Sequence, residues 1–254
     1  MIARPSVASL YLQLEFQGNV LGNATGFVVE RDELRHLVTN FHVVAGRDPE
    51  MLTNLLPNGA WPDSVRIIHN AATRLGQWIP KVEALYDSQG VPLWLEHRSH
   101  GSKVDVVALP LTDIAGVETF TYDPWALARV GIQMAGSLSI VGFPFGVIYG
   151  GAMAVWAQGF VASEWQIDFG DLPRFLIDSR TRPGQSGSPV IFFNTGGGFT
   201  DLQGNTILTG GVTEEFVGVY SGRINEQSDL GFVWKASVLR EVIEDGVRGT
   251  VQGP

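Results

Sequence analysis

The stretch RTRPGQSGSPV, Arg180 to Val190, places Ser186 beside Gly187, with Gly184 two residues earlier. A serine hydroxyl is a weak nucleophile at neutral pH. To attack a carbonyl it needs a base within hydrogen-bond reach, a group that orients the base, and donors for the oxyanion that forms. Glycines around a serine let backbone approach a substrate closely, and the amides of Gly184 and Ser186 could converge on one oxygen. The same Gly, Ser and Pro residues also build ordinary tight turns between strands. The stretch alone leaves both readings open.

A base has to come from the five histidines. His42 lies in LVTNFHVVAG, where a β-branched strand runs straight into it and a short turn follows, a rigid mount for an imidazole. His36 sits on the alternating pattern of that same strand. His69, His97 and His100 lie in polar, loop-like surroundings. The orienting acid should stand beside apolar strand, and Asp105 opens the run Val106, Val107, Ala108, Leu109. A carboxylate buried there is costly unless it is hydrogen-bonded. Asp63, Asp87 and Asp113 have turn-like settings, and Asp178 lies too close in sequence to Ser186. A structural histidine and a solvent-facing strand-edge acid are the plain alternatives for His42 and Asp105.

Short β-type runs recur between turn signals. VASLYLQLEF alternates, with Leu10, Leu12, Leu14 and Phe16 on one side. ATGFVVE, RHLVTN, SVRIIHN, WIPKVEALYD, PLWLEHR and VDVVALPL follow, then AGSLSIVGF, GAMAVWAQGFVAS, RFLIDSR, SPVIFF, EEFVGVYSG and LGFVWK. About a dozen strands at short spacing indicate an all-β barrel or sandwich. A short turn is expected at HVVAG. KASVLREVIEDG predicts a helix with Val238, Leu239, Val242 and Ile243 on one face, stopping at Gly246. The stretch from Thr112 to Arg129 has few strand signals and reads as a connector, and NTGGGFTDLQGNT reads as a hairpin tip.

Composition narrows the function classes. The chain has 254 residues, 44% hydrophobic and 17% charged, enough for a sizeable core. A formal charge of −9 argues against nucleic acid or an anionic membrane as partner. The absence of cysteine removes thiol nucleophiles, Cys-ligated zinc and disulfide scaffolds. No His/Asp/Glu group has ligand spacing, so neither metal nor organic cofactor is expected. MIARPSVASLYLQLEF does not read as a signal peptide, and no window has the length of a membrane span. The expected setting is cytoplasmic.

His42, Asp105 and Ser186 occur in that order. With TNFHVV, DVVALPL and GQSGSP, the chain resembles trypsin-like serine proteases of the chymotrypsin fold, in particular bacterial HtrA-type and trypsin-like peptidase domains. SIVGFPFG, AVWAQGFVAS and LIDSRTRPGQSGSPV resemble that branch's run into its nucleophile, and the likeness extends from Val7 to Gly246. The resemblance implies two six-stranded antiparallel β-barrels in one domain over residues 1–254, with the first barrel at about 7–115, the second at about 130–234, and a closing helix at about 235–246. It implies His42 as base, Asp105 as its orienting acid, Ser186 as nucleophile, and the amides of Gly184 and Ser186 as the oxyanion hole. Tyr220, Ser221 and Gly222 would lie along the strand that pairs with substrate. Gly222 and Gly231 would line a primary pocket and leave it open. Counting back from the nucleophile sets Arg180 near that pocket's floor.

Two departures from the family pattern carry information. Trypsin has an aspartate just before its nucleophile, which pairs with a freshly cut N-terminus; this chain has Gln185, so that activation switch is not expected. Nor does a PDZ domain of the HtrA kind follow Gly246 in this sequence. The reading is a serine endopeptidase acting on a protein or peptide, with an activating protein partner as one route of control. The competing reading is a latent or degenerate protease fold that serves as a regulated effector or binding module.

Overall fold

The computed structural model describes residues 2–56, 59–225 and 227–253, so the ends of the expected 1–254 domain, Met1 and Pro254, lie outside the described residues. The architecture is predominantly β. Tight hairpins set the register of the first half. Gln17 and Gly18 (φ 49° and 78°) join strand Ser9–Phe16 to strand Asn19–Arg31, and Asp32 and Glu33 (φ 50° and 66°) join the latter to strand Leu34–Thr39. Positive φ at both central residues is what a two-residue hairpin needs to match the twist of its strands. The resulting register sets Leu12 opposite Ala24 and Val28 opposite Leu37, all buried.

These strands belong to a nine-stranded sheet. Its path runs Val247–Arg248, Leu95–Glu96, Val107–Pro110, Leu34–Thr39, Asn19–Arg31, Ser9–Phe16, Ser64–Ala71, Trp78–Ala84, with Val117–Glu118 also on Ser64–Ala71. The expectation of a closed six-stranded first barrel differs from this: among the described residues the path is open. Trp78–Ala84 carries Pro80, which has no N–H to offer a further ladder, and it remains an edge. The second half does close. Strands Val155–Val161, Arg174–Asp178, Leu230–Lys235, Thr213–Arg223, Pro189–Asn194 and Ser137–Gly142 form a six-stranded antiparallel barrel. The Gly/Asn/Thr-rich stretch forms a separate hairpin, Gly197–Thr200 with Thr206–Thr209.

Three buried cores follow from this layout. One fills the first sheet around Leu12, Phe41, Ile67 and Trp94. A second fills the barrel around Ile140, Phe175, Val190 and Tyr220. A third joins the halves, with Phe27 and Val106 from the first, Phe143 and Trp234 from the second, and Val238, Leu239 and Val242 of the C-terminal helix Ala236–Asp245. The predicted helix face is therefore the buried one.

The chain ends are exchanged between the halves. Near the start, Ser9 Oγ donates to Val141 O at 2.7 Å, Ala154 N–H donates to Ser6 O at 2.9 Å, and Trp156 Nε1 donates to Ser6 Oγ at 2.8 Å. Near the end, Val247–Arg248 pairs with Leu95–Glu96, and Arg248 Nε donates to Pro92 O at 2.7 Å. Among the described residues no helix is long and apolar enough to cross a membrane.

Candidate active site

Strand Leu34–Thr39 delivers the chain to Asn40, whose extended backbone opens the five-residue helix Phe41–Ala45 carrying His42. Gly46, in the left-handed region, closes that turn by donating its N–H to His42 O at 3.0 Å. Asn40 Nδ2 donates to Asp105 O at 2.6 Å, which ties the acid's backbone to the base of the helix. The Asp105 carboxylate, in a residue only 5% exposed, then takes hold of His42 twice. Oδ1 accepts the His42 backbone N–H at 3.0 Å, and Oδ2 faces Nδ1 at 2.7 Å. A carboxylate against Nδ1 assigns the proton to that nitrogen, so Nε2 of the neutral ring is left as the acceptor.

The pKa of His42 reflects a contest. Burial disfavours the imidazolium and is the largest single influence, but the charge and hydrogen bond of Asp105, aided by the charge of Asp48, outweigh it and raise the pKa above the ordinary histidine value.

The loop Thr181–Ser188 is pressed against the end of the histidine strand. Gly187 (φ 82°) sits so close to Thr25 and Thr39 that a Cβ would overlap Thr25 O and Thr39 Oγ1. Thr39 lies three residues before His42, so the loop carrying Ser186 and the turn carrying His42 share one support. Thr25, fully buried, organises the contact. Its N–H donates to Ser186 O at 3.0 Å, its hydroxyl donates to Gly184 O at 2.8 Å and accepts Phe143 N–H at 3.0 Å, and its carbonyl accepts Thr39 Oγ1 at 2.8 Å. Sequence reading missed Thr25, because a threonine in ATGFVVE is an ordinary strand former. Ser186 is half-buried, and its hydroxyl makes no hydrogen bond among the described residues.

Two backbone amides beside Ser186 are free, and their direction is fixed. Pro183 O accepts Phe145 N–H at 2.6 Å, so across the trans peptide the Gly184 N–H points the opposite way. Gln185 O accepts Ser188 N–H at 3.0 Å, which turns the Ser186 N–H away in the same manner. Neither of these N–H groups has a partner among the described residues, whereas those of Gln185, Gly187 and Ser188 all do. Gly184 has φ 94°, and a Cβ there would overlap Phe143 O, so only glycine fits. Phe145 holds the arrangement from a left-handed conformation (φ 55°) unusual for a bulky residue, with its side chain 66% exposed. Gln185, only 1% exposed, accepts Arg182 N–H on Oε1 at 2.9 Å, bracing the loop from within.

The expected specificity residues fare differently. Arg180 is exposed while its neighbours Ser179 and Thr181 are buried, and Thr181 turns its hydroxyl to Tyr220. Gly222 (φ 135°) faces open space. Ser221 is largely buried at a bulge, where the register with strand Leu230–Lys235 shifts between Tyr220 and Gly222. Gly231 does not border an open pocket: the Tyr220 ring lies against it. Burial, opposed in part by Thr181, pushes the Tyr220 hydroxyl up to about 12.

Other histidines also depart from expectation. His69 sits on strand Ser64–Ala71 instead of in a loop, and His97 is buried with Nε2 2.7 Å from Glu241. A separate cavity of about 550 Å³ between the connector and the C-terminal helix, lined by Arg4, Tyr122, Leu127, Glu214 and Arg240, contains none of His42, Asp105 and Ser186. Among the described residues no three His, Asp or Glu side chains gather as a metal site would require.

Comparison with known proteins adds family and fold. Residues 24–197 match the family model described as a trypsin-like peptidase domain. The active form of the Rv3671c protease from M. tuberculosis aligns over 98% of this chain and 86% of that one, at 16% identity and a TM-score of 0.54. A serine endoprotease from Yersinia pestis aligns over 95% of this chain and 63% of that one, at 12% identity and a TM-score of 0.53. No curated protein matches the sequence.

Proposed function

The chain belongs to the trypsin-like peptidase family, and on that premise we propose that it is a serine endopeptidase working through an acyl-enzyme. The observation that carries this reading is the pair of unpartnered amides, Gly184 and Ser186, whose partner carbonyls are committed elsewhere. Preorganised donors aimed at developing charge are the costly part of such a site, and one donor contributes about 2.7–4 kcal/mol to the transition state. In this reading the open sheet of the first half stands in for the family's first barrel, and the cleft lies where its histidine turn meets the closed barrel.

Neutral His42 accepts the Ser186 proton on Nε2 as Oγ attacks the substrate carbonyl. Asp105 holds the ring by its two bonds and stabilises the imidazolium. The oxyanion lies between the two amides. His42 Nε2–H then protonates the leaving amine, and a water deprotonated by His42 hydrolyses the acyl-Ser186 ester. Gln185, bonded to the Arg182 backbone, braces the loop without a new N-terminus, which supports activity with no trypsin-type cleavage.

One observation favours a second reading: the Ser186 hydroxyl is not hydrogen-bonded to His42. An enzyme held latent until a substrate or protein partner closes that contact would look the same. A fluorophosphonate probe with intact-mass readout tests both. One adduct on the wild type, absent in Ser186→Ala, is the expected result. No adduct on folded protein would remove the constitutive enzyme and leave the latent or binding-module reading.

A further inference from the structure

Tyr220 is anchored by its backbone to both sides of the nucleophile. Its N–H donates to Ser188 O at 2.9 Å, and its carbonyl accepts Gly187 N–H at 3.0 Å. The side chain leaves this anchor toward the barrel interior and is only 2% exposed. There it meets Thr181 of the loop that carries Ser186 and Gly231, the residue that the family resemblance sets on the wall of the primary pocket. On the facing strand, Gly231 leaves room for the ring: a Cβ at Gly231 would stand 2.6 Å from Tyr220 Cε2 and 2.8 Å from its hydroxyl oxygen. On the nucleophile loop, buried Thr181 shares a hydrogen bond between its Oγ1 and the Tyr220 hydroxyl. The phenol therefore spans from one wall to the other and is bonded at its far end. The vacant Gly231 position serves the protein's own tyrosine and leaves no depth there for a substrate side chain.

We propose that Tyr220 is a built-in plug of the primary specificity pocket, so that the residue before the scissile bond must be small, of alanine size. The inference rests on the peptidase reading above and names the substrate class of that site. A glycine, alanine or serine side chain clears the ring edge, whereas leucine, phenylalanine or arginine needs the volume the phenol occupies. Thr181 fixes the ring's position but does not supply its bulk, so the hydroxyl and the ring are separable by substitution.

The test uses peptidyl phosphonate probes that differ only in the residue before the reacting phosphorus, alanine or phenylalanine, scored by the rate of mass addition. The wild type should react with the alanine probe at least roughly tenfold faster, within the range by which an apolar pocket discriminates side chains. Tyr220→Phe keeps the bulk and should keep that preference. Tyr220→Ala should lose it and gain the phenylalanine probe. Wild type reacting equally well or faster with the phenylalanine probe would overturn the proposal.

A second readout is independent of chemistry. Removing the phenol leaves a cavity on the order of 100 Å³, the scale that admits a benzene-like guest. Added 4-methylphenol should raise the Tm of Tyr220→Ala and leave the wild type unchanged; an equal response in both would count against the plug. If the simple fluorophosphonate fails on wild type as well, the constitutive-enzyme reading falls, and the cresol experiment still decides whether Tyr220 fills the space.

Discussion

Replacing Thr25 by valine removes one hydroxyl of nearly constant volume and separates two roles. That hydroxyl donates to Gly184 O at 2.8 Å and accepts Phe143 N–H at 3.0 Å, inside a region with no exposure at Thr25. Valine leaves a carbonyl and an amide without partners, at about 1–3 kcal/mol for each stranded group. Taken together, with incomplete additivity, the loss is about 2–4 kcal/mol, or roughly 5–15 °C in Tm for a chain of this size. The catalytic effect has a separate source. Gly184 O is one of the fixed points that aim the oxyanion loop, so releasing it lets the Gly184 amide wander. Losing one such donor lowers the rate about 10²–10³-fold. The assay is fluorophosphonate acylation measured well below the mutant's Tm, beside thermal unfolding of the same samples. Thr25→Ser, which keeps the hydroxyl and loses only a methyl, should acylate at close to the wild-type rate. If valine lowers Tm as expected while acylation stays within about twofold of serine, Thr25 only holds the fold and the loop-aiming argument is wrong.

Two further predictions concern protons. Acylation should rise with pH through an inflection above the ordinary histidine value, because the raised pKa of His42 must be crossed before Nε2 can accept a proton. Asp105→Asn should move that inflection down and slow acylation by about 10⁴-fold, the scale seen when a triad acid is neutralised; an unmoved inflection would mean that another group reports it. His69, 1% exposed with neither ring nitrogen partnered, is lowered to about 4 by burial first and then by Lys81, with Asp113 opposing. The unfolded chain therefore binds more protons than the native one between about pH 4 and 6.5. Stability should fall as pH falls through that window, by up to about 3 kcal/mol. His42, shifted the other way, adds a slope only above its unfolded value, where its contribution is lost as pH rises. Denaturant unfolding of His69→Gln at pH 7 and pH 4.5 should show a smaller difference than wild type, and identical pH slopes would refute the assignment.

What the sequence made legible were side chains whose chemistry has few substitutes. His42 and Asp105 are found bonded to each other, and Ser186 lies on a loop that shares their support. Legibility ended where geometry outran residue type. The bulge between Tyr220 and Gly222 breaks the two-residue period, so counting along the strand could not tell which side chain enters the barrel. A loop has no period either, so counting back to Arg180 gave no sign that the neighbouring Thr181 is the buried residue. The arrangement of the first half was not legible because three of its sheet's strands, Leu95–Glu96, Val117–Glu118 and Val247–Arg248, are two residues long and leave no alternation to read. His69 looked loop-bound beside Asn70, yet the strand Ser64–Ala71 runs through both.

The exchange of chain ends between the halves has a consequence for how the molecule is made. Synthesis releases residues from the N-terminus onward, and the first sheet lacks its strand at Val247–Arg248 until Arg248 has emerged, about 150 residues after the strand it pairs with. The segment around Ser6 must likewise wait for Ala154 and Trp156. Contacts spanning such separations close late, because loop-closure entropy has to be met before they reward it. The histidine turn and the serine loop are thus brought to their shared support near the end of folding.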